Sequence, residues 1–221
     1  KKAEQYYLKS SELGCSSAMF DLGDFYEFKK KDNKKATEYY LKAIDNNNTN
    51  GLSNLGCLYE KNNDDINALK YYEQGFNLNN LASIKNLIQF HTKKNNIDEL
   101  IKCYLKYLEI EITDTKIMCL LAELYIVNEQ NEDAVNTYNK AIELNCNNAM
   151  FKLSLYYKEI KDYDKMLELL LKGERKNNKN CLCNIGWYYE NIKNDITKAL
   201  EYYEKAIKNE NNEDNEDNEG N

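Results

Sequence analysis

Reactive residue types are few in this chain, and their spacing limits the chemistry they could do. There is one histidine, His91, and there are seven cysteines: Cys15, Cys57, Cys103, Cys119, Cys146, Cys181 and Cys183. The odd count and irregular spacing do not form a disulfide framework. Most of the thiols fall at apolar positions of a helical pattern, so they read as reduced core residues of a cytosol-like compartment, which makes the expected location cytoplasmic. Cys181 and Cys183 could supply half of a metal site. No second cysteine pair stands near them in sequence, and no metal is expected. General acid–base or nucleophilic catalysis by His91 would need an oriented partner, and no nucleophile–base motif surrounds it. His91 reads instead as a packed residue. The chain has no phosphate loop, no paired-glycine nucleotide fingerprint and no metalloprotease helix. The expectation is a protein that is not an enzyme and holds no cofactor.

The charge balance excludes two classes of partner. With 37 acidic and 30 basic residues the net charge is −7, and the isoelectric point is near 5.0. Broad binding to nucleic acid or to an anionic membrane needs a basic footprint, so neither is expected. No apolar run reaches membrane-spanning length. The lysine-rich stretch Lys29, Lys30, Lys31, Lys34 and Lys35 reads as a solvated turn that could touch an acidic partner. The stretch from Glu210 to Asn221 is acidic, without a base or an apolar residue. It reads as a disordered tail, or as a fraying continuation of the last helix.

The elements that must position these residues are helices. The chain has no proline and only 8 glycines, whereas sheet-rich folds use both in their turns. Asparagine takes their place at roughly one residue in seven, well above ordinary usage. It clusters in pairs such as Asn62-Asn63 and Asn79-Asn80. Asparagine tolerates the left-handed backbone and can end a helix where glycine usually would.

One phrase recurs through the chain: an alanine, an aromatic pair, then Lys-Ala-Ile. It is clearest at Ala36 to Ile44, Ala134 to Ile142 and Ala199 to Ile207. The second aromatic position falls at Tyr7, Tyr40, Tyr72, Tyr104, Tyr138, Leu170 and Tyr203, in steps of 33, 32, 32, 34, 32 and 33. A second phrase precedes it, as in Leu22-Gly23 with Tyr26, Leu55-Gly56 with Tyr59, and Ile185-Gly186 with Tyr189. His91 stands where the third copy should carry tyrosine. Each unit is therefore two amphipathic helices joined by a short turn. Small residues such as Gly56 and Ala68 let the two helices approach, and one pair alone cannot bury both its faces. The units run approximately 16–48, 49–80, 81–113, 114–146, 147–178 and 179–210. Residues 1–15 hold a lone second helix that leaves Tyr6 and Leu13 bare, so further repeats upstream or a contact with another molecule are expected. The stretch from Glu109 to Asp114 is slightly longer than its counterparts, and a local shift of the superhelix is expected there.

These spacings resemble the tetratricopeptide repeat family, most closely at Leu55, Gly56, Tyr59, Ala68, Tyr72 and Gly75. The pattern's closing proline is missing throughout. The wording of Asp195 to Ala206 also looks like a Sel1-like repeat, without that subfamily's longer, glycine-bearing turn. The asparagine- and tyrosine-rich dialect is similar to that of repeat proteins encoded by giant DNA viruses of amoebae. The resemblance implies an all-α fold, a right-handed superhelical solenoid of antiparallel helix pairs. It would have about six full repeats and an N-terminal half repeat, one domain over 1–210 and an acidic tail over 211–221.

The resemblance further implies that first helices line a concave groove. Counted from the Leu-Gly positions, the groove side chains are Phe20, Asp24, Lys85, Gln89, Glu123, Phe151, Leu155, Trp187 and Glu190. Glu27, Glu60, Lys61, Lys93 and Lys158 fall in the same register. Phe20, Phe151 and Trp187 would be aromatic anchors. Lys85 and Gln89 resemble half of the family's carboxylate clamp, but Glu123 stands where the clamp needs a neutral or basic group. The implied function is a scaffold or adaptor that binds a protein or peptide segment in the groove, with oligomeric state open. The alternative is an assembly component that stacks through its ends or convex face.

Overall fold

The computed structural model describes residues 2–176 and 178–216. Among these the protein is all-α, with no strand. The chain divides into two compact units, Lys1–Ile112 and Thr113–Asn221. The division falls inside the Glu109–Asp114 stretch singled out by its length. The first unit holds α1 (Lys2–Glu12), α2 (Ser16–Asp24), α3 (Asn33–Asp45), α4 (Asn50–Lys61), α5 (Asp65–Asn77), α6 (Leu81–Lys94) and α7 (Ile97–Ile110). The second holds α8 (Thr115–Val127), α9 (Asn131–Glu143), α10 (Asn147–Glu159), α11 (Tyr163–Glu174), α12 (Lys179–Asn191) and α13 (Ile196–Glu216). The acidic stretch thus continues α13 as far as Glu216, and the rest of it lies outside the described residues.

The turns are built as the asparagine count implies. Positive φ occurs at Asn47, Asn63, Asn79, Asn95, Asn145 and Asn194, and otherwise at Lys31, Glu129, Lys161 and Gly14. At Asn63 the closing bonds run Asn63 N–H to Glu60 O (3.0 Å) and Asp64 N–H to Tyr59 O (3.0 Å), which satisfies carbonyls at the end of α4. The next residue then caps the following helix: the Asp64 side chain accepts from Asn67 N–H. One left-handed residue followed by one cap residue is enough to turn the chain. Two pairs contain one extra residue between their tyrosines. After α2 it is absorbed by a π-helical turn, Phe25–Lys30, and after α12 by a wide bond from Lys193 N–H to Tyr188 O (3.2 Å).

Packing repeats with the sequence. In the first unit, α2 packs on α3, α4 on α5 and α6 on α7, and α1, α3 and α5 also pack on α2, α4 and α6. The second unit pairs α8 with α9, α10 with α11 and α12 with α13 in the same way. Tyr40, Tyr72 and Tyr138 are fully buried. Gly23 and Gly56 face the rings of Tyr40 and Tyr72, and Gly186 faces Tyr203. A β-carbon at any of the three would overlap the ring. At the seam between pairs the contacts are small against small, as with Gly75 against Ser83 and Gly173 against Cys181.

Alanine is a better helix former than glycine by about 1 kcal/mol. Gly56→Ala nevertheless should destabilise the protein by about 1–3 kcal/mol in urea unfolding, because overpacking against Tyr72 outweighs propensity. Adding Tyr72→Leu, which removes the ring, should make the two changes clearly non-additive. Simple additivity would refute the close approach.

Candidate protein-binding face

The face formed by the first helices of unit 1 is built around tyrosine hydroxyls. Tyr40 Oη, from α3, donates to Asp24 Oδ1 (2.7 Å) and Glu27 Oε2 (2.9 Å). Asn54 Nδ2, from the next first helix, donates to the same Asp24 oxygen at 2.7 Å. Lys61 Nζ closes on Glu27 Oε1 at 2.5 Å. The next pair repeats the arrangement. Tyr72 Oη donates to Glu60 Oε2 (2.9 Å), and Lys93 Nζ meets Glu60 Oε1 at 2.6 Å. Burial, then the Asp24 carboxylate it donates to, holds the Tyr40 hydroxyl well above the usual tyrosine range. Burial, followed by Cys57 and Glu60, does the same to Tyr72. Glu27 and Glu60 are thus each shared between a tyrosine and a lysine one repeat further on.

The expected groove residues of unit 1 are therefore largely occupied within the fold. Phe20 is half-buried against Tyr40, with ring centroids 5.9 Å apart. Asp24 has two internal donors. Lys85 and Gln89 are exposed, and Lys85 Nζ lies 5.7 Å from the Tyr107 ring centre. His91 is buried, with its ring edge-on to Phe90.

Unit 2 differs. The Glu123 carboxylate pairs with Lys152 Nζ, and Glu190 Oε2 accepts from Tyr203 Oη at 2.7 Å. Each of those two acids thus has one of the two partner types seen in unit 1. Leu155 and Trp187, however, line an open depression of about 460 Å³ together with Lys158, Glu159, Lys161 and Tyr163. Phe151 packs half-buried in the cluster that contains Trp187. Lys158 Nζ sits 3.4 Å from the centre of the Trp187 ring, a cation–π contact. Burial lowers its affinity for a proton below that of an ordinary lysine. Tyr163, at the start of α11, has its ring 6.4 Å from Trp187 and was not legible from the first-helix register. The hydroxyl–acid contacts were missed as well. Their signal is an acid 12 or 13 residues before Tyr40, Tyr72 and Tyr203, at Glu27, Glu60 and Glu190.

No metal-binding group of three or more His, Cys, Asp or Glu side chains occurs among the described residues. No described helix is long and apolar enough to cross a membrane. The Sel1 repeat model matches residues 1–15 and 16–48, and a tetratricopeptide repeat model matches 51–80, 115–148 and 180–213.

The chain belongs to the Sel1 and tetratricopeptide repeat family.

Proteins of this family generally mediate protein–protein interactions and are typically non-enzymatic. No sequence among the curated proteins matches. Two crystal structures of MamA are similar in fold. Each is 21% identical, with TM-scores of 0.54 and 0.56, covering 73% and 74% of this chain and 97% and 92% of theirs. The pilF protein of Pseudomonas aeruginosa is 13% identical, with a TM-score of 0.50, over 85% of this chain and 88% of that one. None of these matches supports a viral origin.

The side chain of Glu27 is 6% exposed and that of Lys61 is 57% exposed. Water can replace the lysine but not the carboxylate. Lys61→Ala should cost less than about 1 kcal/mol. Glu27→Ala, which strips Tyr40 of one acceptor, should cost about 1–3 kcal/mol. Equal costs in chemical denaturation would contradict a structural role for the acid.

Proposed function

We propose that this Sel1/tetratricopeptide repeat protein is a non-enzymatic scaffold, and that the first-helix face of unit 2 holds a segment of a partner protein. The reading rests on one observation: Lys158 lies over Trp187 in an open depression beside Leu155, with its ammonium on an aromatic ring rather than on a carboxylate. The acids in the same register are engaged by tyrosine or lysine. Lys158, with Lys161 beside it in the same depression, can meet an incoming group. The segment that suits it carries a carboxylate for Lys158 and an aliphatic or aromatic side chain for Leu155 and Trp187. Burial at an aromatic anchor of this kind is where binding energy concentrates.

Trp187 is the only tryptophan, so its emission reports on the site directly. A partner captured from the native cell and titrated back onto the purified protein should change that emission. Its affinity should fall at least tenfold with Lys158→Ala, and again with Phe151→Ala. Unchanged affinity in both variants, with helical content intact by circular dichroism, would refute the assignment.

A further inference from the structure

Three pairs contain a stacked pair of tyrosines. Tyr26 lies on Tyr39, Tyr59 on Tyr71 and Tyr189 on Tyr202, with ring centres 5.4–5.6 Å apart and planes within 9° of parallel. The first ring comes from the first helix and the second from the second helix. In the α6–α7 pair these two positions hold His91 and Cys103. Both replacements are smaller than the rings they stand for. A cavity of about 220 Å³ opens there, lined by Glu73, Phe76, Leu87, His91, Lys102 and Cys103, among others. In the α10–α11 pair only one ring is lost, with Leu169 beside Tyr157, and the cavity at the same place is smaller, about 140 Å³. An apolar cavity of about 150 Å³ is enough to hold benzene.

The walls of the larger cavity match a phenol. Leu87, Phe76 and the His91 ring provide apolar and aromatic surface. Lys102 occupies the register of Lys70, whose ammonium lies 5.3 Å from the centre of the Tyr71 ring. Lys102 is held at the rim by Glu99 at 2.6 Å. Glu73 reaches the cavity from α5, the preceding second helix, so it can accept from a hydroxyl as Glu4 of α1 does from Tyr26 Oη at 3.3 Å. The imidazole is pushed toward its neutral form by burial, so it offers an uncharged ring face.

We propose that this cavity is a docking pocket for a tyrosine side chain of a partner protein, whose ring takes the place of the missing internal stack. The pocket belongs to unit 1 and does not rest on the reading of unit 2. The ring stacks on His91, Lys102 faces its π-system, and Glu73 accepts a hydrogen bond from the hydroxyl.

The test uses p-cresol, the side chain of tyrosine alone, and the blocked tripeptide acetyl-Gly-Tyr-Gly-amide. Binding is read by NMR at the backbone amides of positions 91 and 103, which every variant keeps. Both probes should shift these signals saturably in the millimolar range. His91→Tyr with Cys103→Tyr, which restores the internal stack, should weaken binding at least tenfold. Cys103→Leu, which copies the α10–α11 pair, should weaken it by a smaller factor and serves if the double variant does not fold. Binding of undiminished affinity in Cys103→Leu or in the double variant overturns the proposal. So does p-cresol binding with the tripeptide excluded, since a partner's side chain must bring its backbone with it.

Discussion

The structure depends on one contact made over and over: a buried or half-buried tyrosine of the second helix laid against a small residue of the first. Gly23, Gly56 and Gly186 make room for Tyr40, Tyr72 and Tyr203. The ring fills the gap that the close approach would otherwise leave, and its hydroxyl must then find an acceptor, because a buried unpaired hydroxyl is costly. For Tyr40, Tyr72 and Tyr203 the acceptor is a first-helix acid. That acid in turn needs a counter-charge, and in unit 1 the lysine one repeat further on provides it. Steric fit within one pair thus fixes a polar chain that joins it to the next.

This ordering decides what the exposed face can do. Glu27, Glu60 and Glu123 look like binding charges when counted along helices, yet each is held by a lysine of a neighbouring first helix. Their main work is to set the register between pairs. The proposed recognition sites are positions where the internal pattern is broken. Lys158 rests on an aromatic ring, and His91 and Cys103 leave out a stack that other pairs complete. In a repeat protein, departure from the repeat is the physical sign of a site, because the intact neighbours show what a purely structural version looks like.

Much of the fold was legible in the sequence for the same reason. A near-constant step between buried tyrosines, with a glycine or alanine in register, specifies two helices and their distance. Asparagine pairs in place of proline and glycine marked the turns, and most left-handed positions are asparagine. The candidate site was less legible. Helix periodicity placed Leu155 and Trp187 on one face, where a shared depression joins them. It could not say that Asp24 and Glu190 would be taken by tyrosine hydroxyls, since those partners lie across a helix pair. His91 was readable as a stand-in for tyrosine. The void beside it was not, because that depends on Cys103 replacing the facing ring as well.

The most direct measurement of the central contact is the ionisation of the buried tyrosines, followed by NMR of the ring ζ-carbons with Tyr40 and Tyr72 assigned by substitution. Their folded-state values are raised, so the stabilisation they give is complete below the unfolded tyrosine value of about 10 and is lost as pH rises above it. Both hydroxyls should therefore keep their protons until the fold itself is lost at alkaline pH. Ionisation of either near pH 10, with the helices intact, would mean that these hydroxyls are not locked against Asp24, Glu27 and Glu60, and the account of how the pairs are joined would fail.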